Sequence, residues 1–311
     1  MNQPTQMSQI HKGLWLGLLG IVIFSVTLPM TRLAVGTPDA PQMSGVFIAV
    51  GRAAVAGALS ALFLLATRAP IPQRRQWTPL AITAAGVVFG FPLFTSMAMR
   101  YVEAVHASVI VGVLPLATAA VGALLHRQRP SAGFWWCATL GSALVVMFAM
   151  LRSGSAGGLA IDFADALLLV AMLCAAVGYG YGARLSQQMR AEHVICWALV
   201  LSLPLTLPLA FFSLPAAPLQ ASAWWGFAYL AVFSMWLGFF AWYRGLALGG
   251  TVRVSQVQLI QPFLSMLFAV PLLGERLDAL TMGFALAVIA TVFIGKKMPV
   301  SRPAQAAQGS S

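Results

Sequence analysis

Residues 106–129 read HASVIVGVLPLATAAVGALLHRQR, and residues 253–276 read RVSQVQLIQPFLSMLFAVPLLGER. A constant offset of 147 residues aligns the two segments without a gap. The identical aligned residues are Ser108 with Ser255, Pro115 with Pro262, Leu125 with Leu272 and Arg129 with Arg276. Because internal repeats determine the architecture of a chain, this alignment is the basis of the fold prediction.

The composition of the chain indicates a membrane protein. Of its 311 residues, 60% are hydrophobic and 8% are charged, and the mean hydropathy is +0.86. A soluble core could not bury so much apolar surface. Three cysteines lie in apolar runs without C-x-x-C spacing, so we interpret Cys137, Cys174 and Cys196 as free thiols and expect no disulfide or metal site.

Stretches of about 20 mostly apolar residues are long enough to cross a bilayer as helices. Ten such stretches lie at 13–30, 45–66, 80–99, 104–125, 132–151, 163–183, 194–212, 222–243, 254–273 and 279–295. The first stretch ends near Arg32 and has no convincing small-residue cleavage site, so it is interpreted as a retained helix and not as a signal peptide.

Lysine and arginine predict which loops face the cytoplasm, where loops of membrane proteins are enriched in them. With the N-terminus inside, the cytoplasmic segments hold Lys12, Arg68, Arg74, Arg75, Arg127, Arg129, Arg184, Arg190, Arg244, Arg253, Lys296, Lys297 and Arg302. The opposite side holds only Arg32, Arg100, Arg152 and Arg276. Both termini are therefore predicted to be cytoplasmic, and this topology explains the net charge of +11 without nucleic-acid binding.

The repeat and the helix count predict two halves of five helices. An odd number of helices per half places the second half in the membrane with opposite polarity, so the repeats are inverted. Many secondary transporters have this plan and bind substrate near the midplane between the halves. The predicted division is 1–12 cytoplasmic N-terminus, 13–151 first repeat, 152–162 external linker, 163–296 second repeat and 297–311 disordered cytoplasmic tail.

Several motifs together resemble the EamA-type members of the drug/metabolite transporter superfamily. They are the two S-x6-P helices, the endings GALLHRQR and PLLGER, and FIAVGRAAVAG at residues 47–57. Within that superfamily the chain is most similar to bacterial inner-membrane exporters of aromatic and other neutral amino acids. The resemblance implies export of small metabolites. It departs from the family pattern at Gln128, where a glutamate equivalent to Glu275 is usual.

The sequence gives little support for transport driven by ATP hydrolysis or by an intramembrane proton relay. No G-x-x-x-x-G-K-[ST] motif is present, which disfavours an ATP-driven pump on this chain, and no cofactor is expected. No acid or histidine lies mid-helix, where a proton relay would ordinarily need one. The sequence thus favours facilitated movement or coupling through a group at a mouth of the pathway.

Arg52 is the exception among the charged residues. If its helix begins near Ser44, a rise of about 1.5 Å per residue places it roughly 12 Å deep in a hydrocarbon core about 30 Å thick. An arginine there is expected to face a cavity or a polar partner. It is either a clamp for a substrate carboxylate or a structural arginine that binds carbonyls freed by a neighbouring proline.

Polar residues in the second repeat segment give a second candidate for the substrate path. Ser255, Gln258 and Pro262 share one helical face, and proline leaves a backbone carbonyl open. We expect Ser255 and Gln258 to line a wet path and bind substrate. The alternative is hydrogen bonding that joins neighbouring helices.

Apolar and aromatic residues in the third and eighth helices could form a wall for a large substrate side chain. The candidates are Phe89, Leu93, Trp236, Phe240 and Tyr243. In the sixth helix Tyr179 and Tyr181 point to different faces, so one of them, with Tyr179 as the candidate, could meet the cavity. Their alternative role is contact with lipid or with other helices. Prolines are candidate hinges for alternating access, with a static kink as the alternative. They are Pro115 and Pro262, paired by the repeat, and Pro29 and Pro92.

These expectations combine into one functional prediction. The chain is predicted to be a ten-helix transporter, with no enzymatic activity, that exports small amphiphilic metabolites, aromatic and neutral amino acids first, from the bacterial inner membrane by alternating access. A drug exporter is the alternative, and a membrane-embedded enzyme is a weaker one. Expected partners are the small-molecule substrate and the lipid bilayer. The sequence does not determine the oligomeric state, and a monomer is compatible with it.

Overall fold

The computed structural model describes residues 3–125, 129–153, 162–216, 218–249, 254, 256–298 and 300–301, nearly all of them helical. The first half of the chain contains α1 (Gln3–Ser25), α2 (Thr27–Val35), α3 (Gly45–Ala66), α4 (Arg74–Thr83), α5 (Phe91–Ala98), α6 (Ala104–Val111), α7 (Leu114–Leu125) and α8 (Ala132–Ser153). The second half contains α9 (Phe163–Leu185), α10 (Ala191–Phe212), α11 (Ala221–Tyr229), α12 (Gly238–Gly249), α13 (Gln261–Leu273) and α14 (Ala279–Lys297).

Short segments of other geometry connect some of these helices. A π-helical segment, Ala84–Gly90, joins α4 to α5, and a second one, Leu230–Leu237, joins α11 to α12. A 3-10 segment, Gln256–Ile260, precedes α13. Two short strands, β1 (Arg129–Pro130) and β2 (Val300–Ser301), pair antiparallel and are a small departure from the predicted all-α fold.

The described helices have the length and composition of a multi-pass membrane protein. Six helical spans are long and apolar enough to cross a membrane: Gln9–Val35, Gly45–Ala66, Arg74–Ala98, Phe163–Leu185, Ala191–Phe212 and Ala221–Leu248. Shorter apolar helices lie at Ala104–Thr118, Trp135–Val145, Gln261–Leu273 and Ala279–Thr291. Such helices satisfy their backbone hydrogen bonds internally, as hydrocarbon requires.

The two halves pack against each other along most of their length. In the first set of contacts α1 lies along α12, α3 along α10, α8 along α14 and α6 along α13. In the second, α9 lies along α4, α5 and the π segment between them. In the repeat, α1 and α2 correspond to α9, and α4 and α5 correspond to α11 and α12. The contact of α1 with α12 is therefore equivalent to the contact of α9 with α4 and α5. The buried core therefore lies between the halves.

The helix ends meet at two opposite ends of the bundle, which we name the Glu275 end and the Glu192 end. At the Glu275 end, Arg32 Nη1 donates to the Met99 carbonyl at 2.6 Å, and Arg100 Nη2 donates to the Met43 carbonyl at 2.7 Å. At the Glu192 end, Arg244 Nη1 lies 3.0 Å from Glu192 Oε1.

Four helices are interrupted just before a proline. Pro29, Pro92, Pro115 and Pro262 each lie in the first turn of a helical segment that follows a break, a π segment or a 3-10 segment. Proline is tolerated there because its missing N–H is not needed in the first turn. Proline alone does not determine a break, since Pro204 lies inside the continuous α10.

These interruptions divide the apolar stretches at 104–125 and 254–273, each of which is predicted as one membrane-spanning helix, into two segments. They recur at the offset found in the sequence, because α7 begins at Leu114 and α13 begins 147 residues later, at Gln261. The same offset carries the first π segment onto 231–237, where the second is observed. The departures from α geometry are thus repeated together with the sequence.

Candidate substrate cavity

Two adjoining cavities lie between the halves, where the interrupted helices meet. The smaller is lined by Leu28, Ser108, Val111, Leu114, Pro115, Gln258, Gln261, Pro262 and Ser265. The larger is lined by Phe24, Thr27, Leu28, Arg52, Val87, Phe91, Val111, Tyr179, Ser234, Met235, Phe239 and Gln261.

The smaller cavity is built largely from positions that the repeat pairs. Pro115 and Pro262 both line it, and so do two further pairs in which the halves differ in polarity. The first half contributes Val111 and Leu114, whereas the second contributes the amides of Gln258 and Gln261 at the equivalent positions. One wall of the cavity is therefore polar and the opposite wall is apolar.

Arg52 brings a charge into the larger cavity. It is the eighth residue of α3, whose N-terminus is capped by Ser44 Oγ, which accepts from the Phe47 N–H at 3.0 Å. The residue is 2% exposed, and its Nε has no hydrogen-bond partner in the described part of the chain. Tyr179, from α9, lines the same cavity.

The charge of Arg52 is not balanced within the cavities. None of the residues that line either cavity is an acid, and no described residue forms a hydrogen bond or ion pair with the guanidinium. A buried charge without a partner is costly, so this geometry is suited to a ligand that supplies an anionic group. The alternative of an arginine bound to proline-freed carbonyls has no described contact in its favour.

Two hydroxyl groups line the larger cavity, one from each half of the chain. Thr27 Oγ1 and Ser234 Oγ lie 2.8 Å apart and join α2 to the second π segment. Ser25 lines neither cavity; its Oγ donates to the Ile21 carbonyl at 2.7 Å, one turn before the break in the first helix. The hydroxyls of Thr27 and Ser234 thus give the cavity that contains Arg52 short polar groups.

The aromatic wall of the larger cavity consists of Phe24, Phe91, Tyr179 and Phe239. The ring centroids of Phe24 and Phe239 lie 5.0 Å apart, and those of Tyr179 and Phe239 lie 6.1 Å apart. Aromatic pairs at such distances prefer the edge-to-face arrangement seen here. This wall could pack against an apolar or aromatic side chain.

The sequence-predicted site residues fall into two groups. Arg52 and Tyr179 line the larger cavity and Gln258 lines the smaller one, whereas Phe89, Leu93, Trp236, Phe240 and Tyr243 line neither of the two. Ser255 lies outside the described residues. The four candidate hinges are divided too, since Pro115 and Pro262 line the smaller cavity and Pro29 and Pro92 do not.

Trp236 and Phe240 belong instead to an aromatic cluster around Phe63 at the Glu192 end. The Phe63 ring lies 5.0 Å from Phe240 and 6.3 Å from Trp236. His193 also contacts Phe63, at 6.4 Å. Tyr243 is fully buried behind the cavity, and its ring lies 5.4 Å from Phe239. Any role of these residues in substrate binding stays a prediction.

The π segments explain why sequence periodicity selected neighbours of the lining residues. A π segment accommodates an extra residue per turn, which rotates the following side chains relative to a continuous α-helix. Phe91 and Phe239, each just after a π segment, face the cavity in place of their neighbours. Sequence reasoning also missed Thr27 and Ser234, for which no motif gave a signal.

Comparison with protein families identifies the family to which the chain belongs. A model of the EamA-like transporter family matches it twice, over residues 11–151 and 162–295. The chain belongs to the EamA-like transporter family. Each EamA-like match covers one of the two halves that pack around the cavities.

One curated relative of this EamA-like chain is similar over almost its full length. It is the "Uncharacterized transporter YdeK" of Bacillus subtilis (strain 168), 41% identical over 293 residues, which are 94% of this chain and 99% of the relative. A solved structure described as "Crystal structure of protein" has a TM-score of 0.61 at 19% identity and covers 92% of this chain and 98% of its own. That likeness shows the fold alone.

In the second EamA-like match, Glu275 binds the start of a helix in the first half. Its Oε1 accepts from the Ala104 N–H and its Oε2 from the Val105 N–H, both at 2.8 Å. These are the first two residues of α6, where backbone N–H groups lack partners within the helix. Burial raises the pKa of Glu275 despite both hydrogen bonds. The equivalent Gln128 lies outside the described residues.

Proposed function

We propose that this EamA-like protein exports small amphiphilic metabolites, in the first place aromatic and other neutral amino acids, from the cytoplasm across the bacterial inner membrane. The observation that carries the proposal is Arg52, which has no hydrogen-bond partner among the described residues and lines an aromatic cavity between the two halves. A guanidinium binds a carboxylate through two parallel hydrogen bonds. The amide oxygens of Gln258 and Gln261 are suited to an ammonium group, and the aromatic wall is suited to the side chain.

Alternating access between two inverted five-helix halves is the proposed mechanism. Two observations support it. Equivalent helices of the two halves make equivalent contacts, and the helix interruptions recur at an offset of 147 residues. The polarity of the helices also supports it, since α9 begins at the Glu275 end whereas α2, which continues the direction of α1, finishes there. By the lysine and arginine distribution, the Glu275 end faces outward and both termini face the cytoplasm.

Export of drugs is the second candidate, and the charge of the cavity limits which drugs fit it. The aromatic wall suits many amphiphiles, but Arg52 repels a cation in a low-dielectric site where no lining residue is an acid. Neutral and anionic compounds are therefore favoured over organic cations. The family and its named relative point to a transporter in preference to a membrane-embedded enzyme.

Efflux of labelled phenylalanine from proteoliposomes tests the proposal. We expect Arg52→Ala to lower the efflux rate roughly 10- to 100-fold, because a hydrogen bond to a charged group contributes about 1.5–3 kcal/mol. Arg184→Ala is the control, since Arg184 is exposed in the last turn of α9. Unchanged efflux in Arg52→Ala would return Arg52 to a structural role.

The substrate class has its own test in the unmodified protein. No phenylalanine efflux, together with robust efflux of an organic cation, would overturn the assignment to amino acids. The proposed partners are the substrate and the surrounding lipid, and no cofactor or nucleic acid takes part.

A further inference from the structure

A partly buried histidine and a buried aspartate face each other one turn inside the Glu275 end. His106 Nε2, in α6, lies 2.6 Å from Asp165 Oδ1, in α9. Asp165 is 1% exposed, and its second oxygen, Oδ2, has no hydrogen-bond partner among the described residues. The His106 ring packs against Phe148 of α8, with centroids 5.0 Å apart. A buried carboxylate whose second oxygen can still accept a hydrogen bond thus lies beside an imidazole. Neither residue lines the two cavities.

Few other charges surround this pair. Among the elements that pack against α6 or α9, the helices α5, α7 and α13 and the first π segment carry no ionisable residue. At the Glu275 end, α2 contributes Arg32. The loop and cap residues at this end are Arg100, Tyr101, Glu103, Asp162, Glu275, Arg276 and Asp278. Deeper or at the opposite end are Arg74, Arg75, Cys137, Cys174, Tyr179, Tyr181, Arg184, Glu192, His193, Cys196, Tyr243, Arg244 and Lys297. The side chains of Arg152 and Lys296 lie outside the described part of the chain.

The helix α6 separates the pair from the cavity. His106 and Ser108 are two residues apart, and about 100° per residue places them on nearly opposite faces. Ser108 lines the smaller cavity, and Val111, in the next turn, lines both. The helix is short and ends at the break before Leu114. One short helix therefore carries both the contact of His106 and part of the cavity wall. A movement of α6 at His106 also moves that wall.

We propose that His106 and Asp165 form a proton-binding latch that holds α6 against α9 and controls the opening of the Glu275 end. The inference rests on the proposed function only for the orientation that exposes this end to the outside. The proton is the ligand of the site, and the moving part is the N-terminal segment of the interrupted fourth helix.

The charge balance of the pair gives the direction of the effect. A neutral imidazole that donates its Nε2–H to the Asp165 carboxylate leaves the pair with a net charge of −1. A hydronium ion from the adjacent water transfers a proton to His106 Nδ1 and becomes water, and the pair is then neutral overall. Burial of a net charge costs more free energy than burial of a neutral ion pair. Proton binding therefore favours contact between α6 and α9, and proton loss favours their separation.

Labelling of a buried thiol by a membrane-impermeant maleimide tests the latch without any substrate. Leu168→Cys places the thiol one turn after Asp165 on the same buried face, and Ala166→Cys places a reference thiol at an exposed position nearby. The reference corrects for the rise of thiol reactivity with pH. We expect the Leu168→Cys to Ala166→Cys rate ratio to rise several-fold between about pH 5 and about pH 8, the interval in which an unperturbed imidazole side chain changes charge.

Two variants and one control decide the outcome. Asp165→Asn and His106→Gln should each abolish the pH dependence of the ratio, and either variant suffices if the other fails to fold. Asp162→Asn is the matched control, because Asp162 is exposed, precedes α9 and makes no capping hydrogen bond through its side chain. A ratio independent of pH in the unsubstituted pair, or one that still rises in Asp165→Asn, would overturn the latch. A failure of phenylalanine efflux would leave this labelling result unaffected.

Discussion

At the scale of single residues, adjacent aromatics at the start of α12 have different surroundings. Phe239 lines the larger cavity between Phe24 and Tyr179, whereas Phe240 packs on Phe63 and Trp236. A buried aromatic contributes stability wherever it lies, but it contributes to substrate affinity only where it contacts the substrate. The division of roles between these neighbours is therefore measurable.

Alanine substitutions at the two positions should separate binding from stability. We expect Phe239→Ala to raise the KM for phenylalanine efflux several-fold, because the aromatic wall loses its central ring. Phe240→Ala should lower the thermal unfolding temperature in detergent and leave KM unchanged, because it leaves a void in the cluster around Phe63. A raised KM in Phe240→Ala with an unchanged KM in Phe239→Ala would contradict this assignment. It would favour the wall predicted from sequence periodicity, which includes Phe240.

At the residue scale, the sequence is most informative where a residue type is decisive by itself. A charge in an apolar helix must be accommodated, so the sequence predicts that Arg52 faces a cavity or a polar partner, and Arg52 lines the larger cavity. Face assignments for Phe89, Trp236 and Phe240 assumed continuous α-helices. The intervening π segments rotate the side chains, and periodicity does not reveal them.

At the scale of elements, the interruption before Pro262 links backbone geometry to the cavity. Proline has no N–H for the carbonyl of Gln258, four residues earlier, and the chain adopts a 3-10 segment before α13. The same break places Gln258 and Gln261 along the cavity wall. A helix break of this kind leaves backbone groups at membrane depth that only protein or cavity water can satisfy.

Pro262→Ala should allow the helix to continue through the break. We expect slower phenylalanine efflux and an unchanged or higher unfolding temperature, because alanine restores a backbone hydrogen bond. Pro271→Ala is the control, since Pro271 lies in the same helix, exposed and without a break. Efflux at the unsubstituted rate in Pro262→Ala would contradict a hinge role for Pro262.

The contact of Glu275 with α6 predicts a pH dependence of stability. Burial raises the pKa of Glu275 in the folded protein above the ordinary value of 4.5. The folded state then binds a proton more tightly than the unfolded state, so stability from this group falls as pH rises from about 4.5 through the raised pKa. The unfolding temperature of the unsubstituted protein, minus that of Glu275→Gln, should therefore decrease over this window.

The exposed Glu103 provides the matched control for that measurement. Glu103 precedes α6 and makes no side-chain capping hydrogen bond. The charge of Glu103 is a lesser cause of the raised pKa of Glu275, so we expect Glu103→Gln to narrow the pH-dependent window without removing it, in contrast to Glu275→Gln. A difference for Glu275→Gln that is constant or grows with pH would contradict the assigned direction.

At the scale of the whole molecule, the positions of two paired arginines distinguish inverted halves from parallel ones. Arg129 begins β1, which pairs with β2 just after α14, whereas Arg276 lies just before α14. A helix of 19 residues spans about 28 Å at about 1.5 Å per residue. The two arginines thus lie near opposite ends of α14, although the repeat makes them equivalent.

Cysteine labelling measures this topology directly. With the three native cysteines replaced, we expect a thiol at Arg129→Cys to react with an impermeant maleimide only from the cytoplasmic side. A thiol at Arg276→Cys should react only from the outside of intact cells. Labelling of both positions from the same side would contradict the inverted arrangement and the alternating-access mechanism built on it.

The sequence by itself determined the properties that depend on composition and spacing. Apolar length predicts membrane helices, the offset of 147 residues predicts the paired interruptions, and the EamA-like motifs predict a family that the comparison confirms. Tertiary structure alone decided which side chains meet, because such contacts depend on how helices from the two halves cross. The hydrogen bond between His106 and Asp165, the capping of α6 by Glu275 and the aromatic wall around Phe239 join residues far apart in the chain.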